Sequence, residues 1–525
     1  MFTKPVFILI IIAVIFGGIY FWLVTPLKTD TQLDARFDWP DETANYFWAK
    51  YYAQNHELAV FEPLNLIAQN QIHPRSFNVR SDGSLVPGSF LGLILFYGTL
   101  GRIFGVWAII YFTPILAIFG VLAFYGIIKR LFNEKVAMLS AILMFFNPAW
   151  WYYSVTSMLP NVAFISSLLI SLYFLFKDNK KLSLAETIAS ALFAGLAISI
   201  RPAEIVWLAA VYLAVVFYLS HKLKIGKIVL FLAVAFLMIL PTLSQQQILF
   251  GSFLTSGYNQ LEESQAASCS SCQLVKSLLL PFGFHPTLVA SNFWTHYLSR
   301  FWWLSLLALL GLIAFLVQKG RQKIEVFGYI MLSLFLFAWL GIYYGSWQFS
   351  DLLTIHLNTL GLSYVRYWLP LYILALPFIA LSLIWLTSLL RKRRIQNLGL
   401  LILLLILFYQ SADLVLKAKP DSILPVRSRV ASYKETAKSV IEVTEPDSVI
   451  VTVRKDKVFF PERKVIHTFD ALSLSPEILS ILPNLVKVTS VYYYALGPEP
   501  VLEFNNGLKL ELVKNFDQEV LYKIK

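Results

Sequence analysis

Hydrophobic positions along this chain fall in long unbroken runs, not in the short alternations of half-buried strands or the narrow stripes of surface helices. Eleven runs of 16 to 23 residues, each closed by polar or charged breaks, read as bilayer-crossing helices. They cover residues 6–24, 107–128, 136–153, 159–176, 184–200, 203–219, 228–243, 301–317, 326–344, 368–390 and 398–416. The first follows Lys4, is long for a signal-peptide core and ends in IYFWLVTP without a small-x-small cleavage site, so it reads as an uncleaved anchor.

Three stretches interrupt this pattern. Residues 28–104 and 244–300 are long polar connections, and loops of that length are usually functional or contain structure of their own. Within the first, SFLGLILFYGTLGRIF (89–104) is apolar but short and broken by glycines, which fits an interfacial or re-entrant helix better than a span. Beyond residue 416 the runs stop. Residues 417–525 read as a small α/β domain, with a helix over 433–443, strands in SVIVTV, KVIHTF and SVYYYAL, and a final hairpin of LKLELVKNF and EVLYKIK closed by Asp517 and Gln518. The expected fold is therefore mainly α and polytopic, with about eleven transmembrane helices in residues 1–416 and a small α/β domain in 417–525.

Charge orients this arrangement. The connections KRLFNEK, KDNKK, HKLKIGK, QKGRQK and RKRR, with Lys4, hold 17 Lys or Arg against two acids, a net +15, whereas residues 28–88 carry five basic and eight acidic residues. Basic loops stay cytoplasmic, so the N-terminus is expected inside and, with an odd number of spans, the C-terminal domain outside. Counting 89–104 as a span would put the basic connections outside, against that rule. Composition agrees: mean hydropathy +0.66, 58% hydrophobic and only 14% charged exclude a soluble globular protein. The overall +12 resembles a nucleic-acid signal, but it is chiefly the inner connections, the signature of membrane insertion. No nucleic-acid partner is expected.

Candidate chemistry concentrates on the expected outer face. In FDWPDETANYFWAKYYAQ, Asp38 as cap and Pro40 early in a helix would place Asp41, Asn45, Trp48 and Tyr52 along one side. Asp41 and Glu42 have two readings: first-turn acids that cap amides and complement the helix dipole, or carboxylates facing a cavity where one takes a proton from a hydroxyl. Arg201 in SIRPAE and Arg366 in SYVRYWLPLY sit at outer span ends, where an arginine either snorkels to headgroups or presents its fork to phosphate. Tyr364 and Tyr367 flank Arg366. His73, Arg75 and His285 (in FGFHPT) read as substrate contacts or as loop caps. Trp150 to Tyr153 and the Trp302–Trp303 pair read as interfacial anchors. Cys269 and Cys272 form either a small-loop disulfide or two free thiols, and two cysteines alone do not make a zinc site. Walker, dinucleotide-binding and H-E-x-x-H motifs are missing from the sequence, and the inner connections are too short for a nucleotide-binding domain.

The order of these features resembles the GT-C glycosyltransferases, polytopic enzymes that use polyprenyl-phosphate-linked sugars, and looks most like the branch containing protein O-mannosyltransferases and lipid A aminoarabinose transferases. The likeness rests on the anchor followed by PDET, the surface helix ending in GRIFG, the arginine after the GLA-type span and SYVRYWLPLYIL, over roughly residues 5–390. It implies a polyprenyl-phosphate sugar as donor, an acceptor hydroxyl on a lipid, glycan or protein, Asp41 with Glu42 as catalytic residues, and Arg201, Arg366 and Tyr367 at the donor phosphate. Asn45, His73, Arg75, His285 and Tyr364 are then candidate substrate contacts. One departure stands out: where many relatives carry an acid at the outer start of the fourth span, this chain reads SVTSMLPNVAF, with Ser157 and Asn161. No metal ligand is assigned and no cofactor is expected to be required. The expected location is a prokaryotic plasma membrane. The competing classes are a transporter or flippase for lipid-linked saccharides, against which stands the lack of paired broken helices in two related halves, and a non-catalytic scaffold.

Overall fold

The computed structural model describes residues 4–28, 33–177, 182–219, 224–258, 279–317, 324–349, 359–418, 420–469, 474–496, 507–516 and 519–525. Cys269, Cys272 and the expected turn at Asp517 and Gln518 lie outside the described residues. The chain divides into two compact units. The first comprises Met1–Thr25, Ile110–Pro241 and Ala266–Pro425, and the second Pro26–Ile109, Thr242–Gln265 and Val426–Lys525.

The first unit is a helical bundle whose chemistry is that of a membrane interior. Helix faces carry exposed Phe7, Ile11, Val14, Leu232, Phe236, Leu401 and Leu405, a surface that only a bilayer solvates well. Between helices, small residues permit close approach. A Cβ on Gly120 of the helix Phe112–Leu131 would meet Ser166 Oγ at 2.7 Å, and one on Gly311 would meet the Phe378 carbonyl oxygen at 1.7 Å. Buried hydroxyls pair across the bundle, with Ser171 Oγ 3.0 Å from Ser190 Oγ and 2.7 Å from the Tyr212 hydroxyl. The Tyr20 hydroxyl donates to the Phe145 carbonyl at 2.5 Å.

Among the described residues, six helices are long and apolar enough to span a membrane, or nine if each of three bent pairs counts as one span. The expected count of eleven is not reached. The reason lies in prolines at first helical positions. The expected run 136–153 breaks at Asn147, whose side chain caps the following helix by accepting the Trp150 N–H, 3.1 Å away. Pro148–Val155 and Pro160–Phe176 then meet at 112°, Leu184–Ile200 and Pro202–Tyr218 at 110°, and Pro286–Ser299 and Trp302–Val317 at 92°. Only the break at Asn147 divides an expected run; the bends before Pro160 and at Pro202 fall between runs that were expected to be separate.

The second unit contains the expected α/β strands, but residues 417–525 do not form a core by themselves. Strands β1 (Val60–Phe61), β2 (Phe77–Val79) and β3 (Ser84–Pro87) form an antiparallel sheet in the order β1-β3-β2. Strands β4 (Val449–Val453), β5 (Lys464–Thr468), β6 (Val491–Leu496), β7 (Leu510–Phe516) and β8 (Glu519–Ile524) form a second sheet in the order β5-β4-β6-β8-β7. Here β4 runs parallel to β5 and β6, and the hairpin β7-β8 runs antiparallel. The alternation of β4 and β6 sends Ile450, Tyr492 and Tyr494 into a core with Trp48, Phe77 and Ile94. Val449, Val451 and Tyr493 face the amphipathic helix Pro476–Val488, which was not foreseen, together with Ala68 and Ile72. Burial of both faces therefore requires the segment that precedes the second span. The short apolar helix expected over 89–104 is present as Leu91–Phe104 and packs on Pro40–Asn55, where a Cβ on Gly98 would meet Tyr52 Cδ1 at 2.8 Å.

Charged ties complete this union. Arg75 donates from its backbone N–H and Nε to Asp456, at 2.8 and 2.9 Å, and Arg36 pairs with Glu462. Burial, the largest single influence, would raise the Asp456 carboxyl, but the charge of Arg75, the hydrogen bonds from its side chain and backbone, and His467 together hold the group below the usual range. His467 lies with its ring 5.2 Å from that of His73; burial, then the neighbouring imidazole, pushes it down to about 4. Below pH 6.5 the unfolded chain protonates this histidine while the folded chain does not, so folded-state stability falls as pH drops from 6.5 towards 4. We expect hydrogen-exchange protection of β4 and β5, corrected for intrinsic rates, to fall across that window by the equivalent of about 1–3 kcal/mol. His467→Phe should flatten the fall, and an equally steep profile in the variant would assign it to other groups.

Candidate functional site

The predicted site residues divide between the two units. In the second unit, Trp39 and not Asp38 is the N-cap of the helix Pro40–Asn55, with Pro40 at its start and no side-chain cap bond. Asp38 is instead held by Arg429 (Nε to Oδ1, 3.0 Å), the Tyr433 hydroxyl (3.1 Å) and Lys457. One turn on, Asp41 is half-buried and accepts the Ser76 hydroxyl at 2.7 Å, while Glu42 and Asn45 are buried. Asn45 Oδ1 accepts the Ser89 hydroxyl at 2.8 Å. Ser76 has φ +64°, a left-handed conformation that a serine rarely takes. Its carbonyl accepts the Gly88 N–H at 3.1 Å, and a Cβ on Gly88 would sit 2.6 Å from that same oxygen. A glycine at 88 thus lets Ser76 keep the strained conformation in which it holds Asp41.

His73 and Arg75, expected as substrate contacts or caps, face the β4–β5 end of the large sheet: His73 Nδ1 is 3.0 Å from the Pro74 carbonyl, and the Arg75 donors go to Asp456 and, at 2.7 Å, to the Arg454 carbonyl. Arg75 is half-buried, and these bonds tie it to Asp456 and Arg454.

In the first unit the arginine and tyrosine candidates converge. Arg201 is 5% exposed and donates through Nε and Nη2 to Glu204 Oε1, at 2.9 and 2.7 Å, and to the Tyr344 hydroxyl at 3.1 Å. Tyr344 donates to the same Glu204 oxygen at 2.5 Å, and Trp207 Nε1 donates to Oε2 at 2.5 Å. Snorkelling is thus not how Arg201 is used. The Arg201 and Arg366 guanidinium carbons both lie over the ring of Tyr367, at 4.8 and 4.9 Å, and that ring stacks on Tyr344 at 4.6 Å. Arg366 and Tyr367 are half-buried. Arg366 Nη2 lies 3.4 Å from the Ser363 and Tyr367 hydroxyls. Asn161, standing where an acid was expected, donates to the Arg366 carbonyl at 3.2 Å.

Tyr364 donates to the Trp347 carbonyl at 2.5 Å and stacks on His296 at 4.6 Å. His296 in turn is 3.2 Å from Nη2 of the buried Arg300. Glu204, Tyr344, His296 and Arg300 were not singled out from sequence. The i,i+3 spacing of Arg201 and Glu204 and the i,i+4 spacing of His296 and Arg300 were the available signals. His285 is exposed at the start of Pro286–Phe293; its backbone N–H, not its ring, reaches Ser346 Oγ at 3.3 Å.

A cavity of about 510 Å³ in the first unit is lined almost wholly by apolar side chains, including Ile165, Leu168, Val211, Leu336 and Ile373, and reaches Trp207, the residue bonded to Glu204. Among the described residues, no three His, Cys, Asp or Glu side chains converge as metal ligands.

These features define a polytopic membrane protein whose buried arginine cluster adjoins an apolar cavity. The fold is similar to that of solved membrane glycosyltransferases, and one part of the chain matches a family model. Residues 93–244 match the family model described as dolichyl-phosphate-mannose-protein mannosyltransferase. The chain is similar to ArnT from Cupriavidus metallidurans, solved bound to undecaprenyl phosphate, at 11% identity and TM-score 0.55 over 99% of this chain and 97% of that one. It is also similar to the Archaeoglobus fulgidus oligosaccharyltransferase tethered to an acceptor peptide, at 12% identity and TM-score 0.54 over 93% and 69%. No curated protein matches.

Removing Glu204 leaves a buried guanidinium uncompensated, which costs about 3–5 kcal/mol. Glu204→Ala should lower the melting temperature of the purified protein far more than Tyr344→Phe, which keeps the ion pair. Equal melting curves for wild type and Glu204→Ala would show that Arg201 does not depend on this carboxylate.

Proposed function

We propose that the protein transfers a sugar from a polyprenyl-phosphate donor to an acceptor hydroxyl on the extracytoplasmic face, with inversion at the anomeric carbon. One observation carries this reading: within the first unit, an apolar cavity and an arginine–tyrosine group, of which Arg366 and Tyr367 are half-buried, are joined through Trp207, Glu204 and Arg201. An amphiphile with an isoprenoid tail and a phosphate head matches that pairing of surfaces. Arg366, half-buried where Arg201 is buried, is the candidate to meet the phosphate, with Arg201 holding Tyr367 in place.

The chemistry follows from the donor. The bond between the anomeric carbon and the phosphate oxygen breaks, and its electron pair leaves on the lipid phosphate, whose growing charge a guanidinium stabilises. The acceptor oxygen forms the new bond from the opposite side, and its proton passes to Asp41. Glu42, buried one residue on, supports that carboxylate. Ser76 orients Asp41 and marks which oxygen is already engaged. The charge bias supports a cytoplasmic N-terminus and an extracytoplasmic reaction, and the resemblance to the glycosyltransferase family supports a prokaryotic plasma membrane. The bent helix pairs also suit a transporter of lipid-linked saccharides, a reading distinguished by whether the donor bond is cleaved.

Asp41→Asn should lower sugar transfer from labelled undecaprenyl-phosphate hexose by roughly 10²–10⁴-fold with insertion and melting unchanged. Wild-type turnover in that variant would remove Asp41 as base. Arg366→Ala should weaken donor use roughly tenfold or more, and Arg366→Lys should recover only part of it, since an ammonium lacks the bidentate fork. Unchanged donor dependence would move the phosphate contact elsewhere.

A further inference from the structure

The second unit holds a separate concavity that the donor chemistry does not use. It encloses about 640 Å³ and is lined on its polar side by Asn70, His73, Asn78 and Arg80, and otherwise by Ile248 and Phe250 among others. That size lies within the range of small-molecule sites. Its lining is unlike that of a phosphate site. No lysine contributes, and the one arginine, Arg80, already faces Asp82 at 3.4 Å. The remaining polar side chains are the amides of Asn70 and Asn78, the His73 imidazole and the Ser81 hydroxyl, which together both donate and accept, as ligand hydroxyls do.

The polar wall is pre-formed. Buried Asn65 staples it by accepting the Ile72 N–H at 2.8 Å and donating to the Ile72 and Gly83 carbonyls at 3.1 and 3.2 Å. Gln69, Asn70 and Ser76 all have positive φ, of 50°, 63° and 64°, and such strain persists only where the surroundings enforce it and collects at ligand sites. His73 Nδ1 lies 3.0 Å from the Pro74 carbonyl, an acceptor only, so Nδ1 carries the proton and Nε2 is an acceptor. Asn78 Nδ2 donates to the Gly257 carbonyl at 2.6 Å, fixing the amide. The wall strand β2 begins at Phe77, the residue after Ser76, whose hydroxyl holds Asp41.

We infer that this pocket is the acceptor subsite and that the acceptor is a saccharide, its hydroxyls met by Asn70, His73 and Asn78 and an apolar ring face set against Phe250. The acceptor role rests on the transferase reading; the ligand class rests on the pocket itself.

The test uses the full-length protein in a detergent without sugar head groups, probed by saturation-transfer NMR with methyl glycosides of hexose and N-acetylhexosamine and their disaccharides. At least one should receive saturation from the wild type. Ile248→Trp, which fills the mouth from a position 65% exposed, should reduce the signal roughly tenfold, and Arg80→Ala provides a second rim variant if the first fails to fold. Parallel assays follow release of undecaprenyl phosphate from labelled undecaprenyl-phosphate hexose, which the bound glycoside should stimulate in the wild type. No glycoside signal, or a signal that neither variant alters, overturns the inference, as does displacement of the glycoside by inorganic phosphate. If donor cleavage then proceeds onto a peptide or lipid acceptor, the transferase reading stands and the pocket assignment falls. If the glycoside binds and the variants abolish it but no donor is cleaved, the transferase reading fails and takes the acceptor role with it.

Discussion

A guanidinium inside a low-dielectric bundle has to find its counter-charge locally, and Arg201 finds it three residues on, in Glu204. Much of the first unit's polar architecture is arranged around that pair. Tyr344 and Trp207 complete the hydrogen bonding of the carboxylate, Tyr344 supports the ring of Tyr367, and that ring lies against both Arg201 and Arg366. The carboxylate thereby serves three helical segments at once. One consequence is that the two arginines, equivalent in sequence reading, differ physically: one is spent on the fold, and the other stays closer to the surface of its unit.

The second unit is governed by a different constraint. A five-stranded sheet with two apolar faces needs cover on both, and each face is shared: Tyr433, Ala437 and Val440 join Trp48 and Phe77 on one, and Ala68 and Ile72 join the helix Pro476–Val488 on the other. This interdependence also fixes chemistry. The strand that closes the shared core, β2, continues from Ser76, and Ser76 holds Asp41. Packing and the orientation of the proposed base are therefore parts of one structure, so substitutions at Gly88 or Asn65 are expected to act on both.

The legibility of the fold in sequence followed from the strength of each physical signal. Long apolar runs declared a membrane protein, and the strands β4, β5 and β6 were visible as β-branched and aromatic runs. The number of spans was not legible, because Asn147 breaks an unbroken apolar run and because composition does not carry the angles of 112° and 110° at which the helices near Pro160 and Pro202 meet. Asp38 was misread as a cap because its partners, Arg429, Tyr433 and Lys457, are 391 to 419 residues away. Arg201, Arg366 and Tyr367 were picked for their cost in an apolar setting, and they do converge; Glu204 and Ser76 were missed because their roles depend on contacts that local spacing only hints at. The helix Pro476–Val488 was passed over because Pro483 interrupts its pattern.

The account stands or falls on whether the glycosyl–phosphate bond is broken by this protein. The direct measurement follows undecaprenyl-phosphate hexose, labelled separately in the lipid phosphate and in the sugar, with the purified wild-type protein in vesicles. The account predicts that the two labels separate, with undecaprenyl phosphate accumulating as the sugar passes to an acceptor. Both labels crossing the vesicle membrane together with the bond intact, or neither label changing at all, would contradict it.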